Sequence, residues 1–173
     1  VRAATLDSIR ALMMIRAYRV RGHLYAQLDP LGLNQPGYHS ELDHCSYGFT
    51  DADLDRSIFI DNVLGMETAT LRKIIEACQR TYCNLIGVEF MHMQDPEEKA
   101  WIQLRIEEPR NNTEFTPLGR RTILERLTEA EVYEQFLDRR YVGTKRFGLE
   151  GGESLIPALE QIIKRGSQMG MEE

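Results

Sequence analysis

The stretch Lys145-Arg146-Phe147-Gly148-Leu149-Glu150-Gly151-Gly152-Glu153 carries the clearest chemistry in this chain. Two basic residues precede a glycine pair that opens a helical pattern. Free backbone N–H groups at a helix start, with the helix dipole behind them, favour an anion. Arg146 has the planar fork that grips a carboxylate or phosphate through two parallel hydrogen bonds. Glu150 and Glu153 oppose an anion seated directly on that helix start. An Arg–Glu structural pair therefore competes evenly with an anion site.

Other groups have ligand chemistry but weaker patterns. His39, His44 and Cys45 share one loop with Asp43 beside them, soft enough for zinc, yet a closed site needs four ligands at defined spacing. Polar packing of the loop is the favoured reading there. Asp51, Asp53 and Asp55 imitate the first half of a calcium loop. Arg56 stands where that loop needs Gly, and Asn62 where it needs a bidentate Glu, so the acids read as helix-start residues. Cys78 and Cys83 sit five apart on a helix, pointing roughly 140° from one another, and read as small core residues. His92, between Met91 and Met93, reads as a hydrogen-bonded core histidine. Trp101 and Tyr82 read as core aromatics on apolar helix faces.

The elements that must position these groups are mostly helices. Leu6, Ile9, Met13, Ala17, Val20 and Leu24 recur at helical spacing and predict an amphipathic helix that stops before Asp29-Pro30. Residues 29–48 then carry Pro30, Gly32, Pro36, Gly37 and Gly48, a long ordered loop. Thr50 with Asp53 reads as a helix start. Thr70 to Cys83 is a second helix with Leu71, Ile74, Ile75, Cys78 and Tyr82 on one face. Leu85 to Met93 reads as a short buried strand or extended segment. Asp95-Pro96 opens a helix to about Glu108, and Asn111-Asn112-Thr113 is a turn. Thr116-Pro117 opens another helix to Leu127. Thr128 to Glu131 reads as a capping box starting a further helix to about Tyr141, which Gly143 closes. The last helix follows Gly151-Gly152, with Leu155, Leu159, Ile162 and Ile163 inward and Gly166 ending it. The expectation is a mainly α-helical segment with one or two short extended strands.

The 173 residues are 42% hydrophobic and 28% charged, the balance of a globular chain. With 21 Lys plus Arg against 27 Asp plus Glu, the formal net charge is −6. That surface repels phosphate backbones, so no nucleic-acid partner is expected. No apolar run approaches the roughly 18 residues of a membrane span, so no membrane partner is expected either. Three cysteines without framework spacing suit a reducing compartment, a bacterial cytoplasm or a mitochondrial matrix. The first residues contain no signal core, and the ends read as those of a segment from a longer polypeptide.

Specific strings carry a resemblance. Arg21-Gly22-His23 through Leu28-Asp29-Pro30-Leu31-Gly32 is similar to the N-terminal region of the thiamine-diphosphate-dependent decarboxylase component of the 2-oxoglutarate dehydrogenase complex. Thr81-Tyr82-Cys83, Ile86-Gly87-Val88-Glu89-Phe90-Met91, Trp101-Ile102-Gln103, Lys145 to Gly151 and Leu155-Ile156-Pro157-Ala158-Leu159 resemble the same family in order and spacing, over nearly the whole chain. The resemblance implies a larger α/β thiamine-diphosphate-dependent fold, with residues 1–142 as its N-terminal helical region and 143–173 as the start of the cofactor-binding domain. It implies thiamine diphosphate and magnesium as cofactors, 2-oxoglutarate as substrate, and dihydrolipoyl succinyltransferase and dihydrolipoyl dehydrogenase as partners of a homodimer. Within this chain it assigns cofactor and substrate binding to Arg146 and substrate binding to Phe147. It places the substrate-binding histidine, the magnesium motif and the activating glutamate beyond Glu173, so the segment alone is expected to be inactive. The acidic pair of the family's calcium site is absent from Leu33-Asn34-Gln35-Pro36-Gly37. A related 2-oxoadipate dehydrogenase, and a non-catalytic helical docking module, are the alternatives.

Overall fold

The first helix, α1, spans Arg2–Arg21 and buries Ala11, Met14, Ile15, Ala17 and Tyr18. Of the stripe expected above, Ala17 is buried, but Leu6, Ile9, Met13 and Leu24 stay about half exposed. The helix is apolar on two faces, so periodicity alone does not choose between them, and packing against α2 and the strands does. The computed structural model describes residues 2–34 and 37–172, so Gln35 and Pro36 of the glycine- and proline-rich loop lie outside the described residues. The helix also ends earlier than Asp29. A 3-10 turn, Gly22–Tyr25, follows it, because the chain crosses the end of another helix there. A Cβ on Gly22 would collide with Cβ of Tyr82.

The described part of the following loop is ordered by its own polar groups. Both Asp29 oxygens accept backbone N–H groups, from Leu31 at 2.9 Å and Asn34 at 2.8 Å. Two 3-10 turns follow, Ser40–Leu42 and His44–Tyr47. A third, Asp51–Asp53, carries the expected box between Thr50 and Asp53.

The strands are not where the apolar run suggested. β1 (Ser57–Phe59) and β2 (Thr68–Thr70) pair antiparallel, with Ile58 opposite Ala69. Ile60 N–H extends the ladder to the Glu67 carbonyl at 2.9 Å. Ile58 and Ile60 are buried while Ser57 and Phe59 are exposed, the period of two that marks a half-buried strand. Residues 86–90 follow a bend at 83–85 and form no helix or strand, and there Phe90 is buried while Leu85 and Ile86 are exposed.

The next helix, α2 (Leu71–Tyr82), is capped by Thr70 and buries Leu71, Ile74, Ala77, Cys78, Thr81 and Tyr82. Asp95 caps α3 (Pro96–Glu107), its side chain accepting from Glu97 N and Glu98 N. The core of α1, α2 and the hairpin also takes in Leu42, Phe49 and Leu64. Trp101 and His92 lie outside it. Trp101 is 57% exposed with Arg105 over its ring, and His92 is exposed, so neither is the core residue expected.

The chain divides into two units, Val1–Thr113 and Glu114–Glu173. The second contains α4 (Pro117–Arg140) and α5 (Leu155–Gln168). The two helices expected between Thr116 and Tyr141 are one. Thr128 lies mid-helix, its hydroxyl donating to the Leu124 carbonyl at 2.9 Å instead of capping a new start. Gly166 does not end α5. The helix continues to Gln168 and closes with Gly170 at φ +83°, Gly170 N–H on Ser167 O and Met171 N–H on Gly166 O, a Schellman closure. Leu155, Leu159, Ile162 and Ile163 were expected inward but are 44–69% exposed. A helical hairpin has one seam and no third layer to cover a second apolar face. Among the described residues no helix is long and apolar enough to cross a membrane.

Candidate functional site

Within the second unit, α4 ends at a Tyr141 cap, and Gly143 takes the left-handed φ of +81° that turns the chain out of the helix. The segment that follows is held back onto α4 by Glu134 and Asp138. The Glu134 carboxylate accepts Leu149 N–H at 2.7 Å, and its carbonyl faces Arg146 Nη1 at 3.4 Å. Arg146 Nη2 pairs with Asp138, one turn further along α4. The acid is not a glutamate of the Glu150–Glu153 stretch, as the sequence suggested, but Asp138 of α4. The side chain of Arg146 is still 30% exposed, and a guanidinium has five donors, so donors remain for an incoming anion. Phe147 projects into solvent at 89% exposure, with Lys145 Nζ 5.1 Å from its ring centroid. The amides leading into α5 are taken by the chain itself: Gly151 N–H donates to Glu153 Oε1 at 3.0 Å, Gly152 N–H to the Leu149 carbonyl, Leu155 N–H to the Gly152 carbonyl and Ile156 N–H to the Glu153 carbonyl. The arrangement presents one guanidinium, one ammonium and one aromatic ring on a single surface loop. That set suits a small anion with a flat or apolar part.

In the first unit, the Asp43–His44–Cys45 loop converges. One ligand atom from each of the three lies within 4.8 Å of the other two. His44 Nε2 is 3.8 Å from Cys45 Sγ and 3.3 Å from Asp51 Oδ1, while His44 Nδ1 is 3.6 Å from Asp43 Oδ1. His39, placed in the same group by sequence, does not join them, and its backbone N–H donates to Tyr25 Oη at 2.6 Å. Desolvation and the neighbouring Asp43 and Asp51 charges push the Cys45 thiol up. Of the three acids read against a calcium loop, Asp53 accepts from Thr50, Asp55 pairs with Arg72 and Asp51 faces His44.

Sequence reasoning missed one polar centre. Glu107, at the end of α3, is 7% exposed. It receives Arg19 Nε at 2.7 Å, Arg19 Nη2 at 3.1 Å and Tyr82 Oη at 2.6 Å. Burial is the largest single influence and lowers the Arg19 guanidinium, but the Glu107 hydrogen bond and charge, together with Tyr82, outweigh it and the net shift is upward. Burial and the Glu107 carboxylate push the Tyr82 phenol far up. Beside this centre lies a cavity of about 760 Å³. Four of its lining residues, Asp61, Asn62, Leu64 and Arg110, hold positive φ between 50° and 60°. Arg110 pins the loop from Asp61 to Gly65 through Nη2 to the Leu64 carbonyl at 2.7 Å. Nothing in the local pattern distinguishes Glu107 from Glu108, so only the packed structure reveals the centre.

No protein-family model matches the chain. Curated relatives do. The 2-oxoglutarate dehydrogenase E1 components of Brucella canis, Brucella suis and Brucella abortus are each 63% identical over 171 residues, 98% of this chain. The chain spans 17% of the length of each of these relatives. The Lys145 to Gly151 string thus sits in a chain that, nearly end to end, is similar to the N-terminal segment of the 2-oxoglutarate dehydrogenase E1 components.

Proposed function

We propose that this chain acts as the N-terminal part of a 2-oxoglutarate dehydrogenase. The whole protein would decarboxylate 2-oxoglutarate and pass the succinyl group to lipoamide on a dihydrolipoyl succinyltransferase, with dihydrolipoyl dehydrogenase completing the complex. The observation that carries this reading is the 63% identity sustained over 98% of the chain. The proposed assembly is a homodimer in a bacterial cytoplasm, in keeping with the bacterial relatives. In this reading residues 143–173 begin the cofactor-binding α/β domain and residues 1–142 form the helical region ahead of it.

Thiamine diphosphate with magnesium would supply the electron sink for decarboxylation. The donor chemistry of this chain fits an anionic group. Arg146 retains unoccupied donors and surface access beside Lys145, enough to orient a substrate carboxylate or a cofactor phosphate. Asp138 holds the guanidinium in place until an anion competes for it. Phe147, exposed beside it, would pack against the organic part of the same ligand and keep water from that side.

The test is Arg146→Ala in the whole enzyme. The expected result is a fall of at least about tenfold in kcat/KM for 2-oxoglutarate, the cost of one charge-assisted contact in the transition state. Unchanged kinetics would remove Arg146 from the site. Assaying 2-oxoadipate alongside separates the two dicarboxylate substrates, and the present reading expects 2-oxoglutarate to be the better one.

A further inference from the structure

We propose that Glu134 is a positioning residue for the Arg146 site: its carboxylate fixes Leu149 and thereby sets where Arg146 and Phe147 stand. The inference rests on the reading of Arg146 as a binding residue for an anionic substrate or cofactor group. It adds the residue that holds that guanidinium ready.

The first observation is where the segment is bonded. Gly143 and Gly151, at left-handed φ of +81° and +84°, bracket it. Among the described residues from Lys145 to Leu149, only the Leu149 amide is hydrogen-bonded within the chain, at 2.7 Å to Glu134 Oε1. The Leu149 carbonyl in turn accepts Gly152 N–H, so both backbone groups of Leu149 are held. A carboxylate accepting a backbone N–H makes a charge-assisted bond, roughly twice as strong as a neutral one.

Burial singles out the same pair. Within residues 141–150, Leu149 alone is half-buried and the others are exposed. Glu134 is half-buried as well, so the bond between them is partly shielded from competing water. The backbone carbonyl of Glu134 lies 3.4 Å from Arg146 Nη1. The helix residue that holds Leu149 therefore also stands beside the guanidinium.

Asp138 does not serve as this anchor. Its pair with Arg146 leaves 66% of the Asp138 side chain and 30% of the Arg146 side chain in water, and exposed ion pairs hold a side chain weakly. It also occupies the guanidinium that an anion must reach, so it gives way as the ligand binds. The Glu134 carboxylate acts three residues from Arg146 and persists through binding. A tethered loop raises the fraction of chains in which Arg146 stands ready, and apparent affinity scales with that fraction.

The experiment is a double-mutant cycle in the whole enzyme: Glu134→Ala, Arg146→Ala and the two together, with Glu134→Gln as the conservative variant. Glu134→Ala should raise KM for 2-oxoglutarate by about three- to tenfold while kcat falls by less than about twofold. Glu134→Gln keeps an oxygen that accepts the Leu149 N–H and should return KM to within about twofold of the parent value. In the Arg146→Ala background, Glu134→Ala should change kcat/KM by less than about twofold, because its effect passes through the guanidinium. Hydrogen exchange in the substrate-free enzyme gives a readout apart from activity. Glu134→Ala should speed exchange of the Leu149 amide by at least about tenfold and leave α4 unchanged. Unchanged kinetics in Arg146→Ala remove the reading on which the inference rests, and the inference with it. A loss in Arg146→Ala with none in Glu134→Ala overturns the positioning role alone. So does an equal loss from Glu134→Ala in both backgrounds, or a Leu149 amide that exchanges no faster.

Discussion

Glu107 is the residue on which three parts of the first unit meet: α1 through Arg19, α2 through Tyr82, and the C-terminal end of α3 itself. A carboxylate this buried is stable only while its partners remain. Glu107→Ala strands the Arg19 guanidinium and should cost about 3–5 kcal/mol, the penalty for breaking a buried pair from one side. Tyr82→Phe removes one donor and should cost about 1–3 kcal/mol. Urea unfolding of the two variants measures both, and a Glu107→Ala loss smaller than that of Tyr82→Phe would contradict the central role of the acid. The cysteines act on the alkaline side. Burial pushes the Cys83 thiol from 9.0 up to about 11, and desolvation raises Cys78 as well. The unfolded chain gives up these protons near pH 9 while the folded chain holds them, so stability present below pH 9 is lost as the pH climbs towards 11. Cys83→Ser should flatten that decline in urea midpoints measured from neutral pH to about pH 10.

At the scale of elements, capping rules and helix interiors make opposite predictions for two threonines in α4. Thr116 is the cap, its hydroxyl accepting Gly119 N–H at 3.1 Å, and Thr116→Ala should cost about 1 kcal/mol. Thr128 bonds its own helix four residues back, and Thr128→Ala should be neutral or stabilising by up to about 0.7 kcal/mol, since Ala is the better helix former. Helicity by circular dichroism separates them, and equal losses would restore a break at Thr128. The crossing of the α1 end over Tyr82 sets a tighter limit. Gly22→Ala drives a methyl into the Tyr82 Cβ, and thermal melting should show a loss of about 1–3 kcal/mol from overpacking.

For the molecule as a whole, the two units differ in kind. The first has a core that fully buries Tyr18, Tyr82, Met14, Ile15 and Leu71, whereas α4 of the second buries none of its residues. Hydrogen exchange should therefore be slowest in α1, α2 and the β1–β2 hairpin and much faster along α4 and α5. Leu6, Ile9 and Met13 on α1, and Leu159, Ile162 and Ile163 on α5, are solvent-facing apolar rows. Rows of this kind drive association. The chain alone should bind a hydrophobic dye and self-associate with concentration. Ile162→Glu with Ile163→Glu should reduce both without lowering the melting point of the first unit.

Local chemistry was legible in the residues. Thr70, Asp95 and Thr116 cap where their side chains predict, because a cap needs only its own next three residues. The apolar face of α2 was legible for the same reason, being single and strongly one-sided. The resemblance strings were legible because they are contiguous. What needed the tertiary structure was every choice between equivalent local options. The α1 helix has two apolar sides, and the α2 and hairpin surfaces selected Met14 and Ile15 over Ile9 and Met13. Thr128 has the residues of a cap but continues a helix, since the turns on both sides of it already hold. The alternation of Ile58 and Ile60 was present in the sequence but too short to stand out from the longer apolar run at 85–93, and pairing with residues 67–70 decided it. The Arg19–Glu107–Tyr82 centre and the convergence of Asp51 on His44 join residues separated by 88, 25 and 7 positions. Local periodicity and capping describe a chain's near neighbours, whereas the meeting of distant charged groups depends on which surfaces pack.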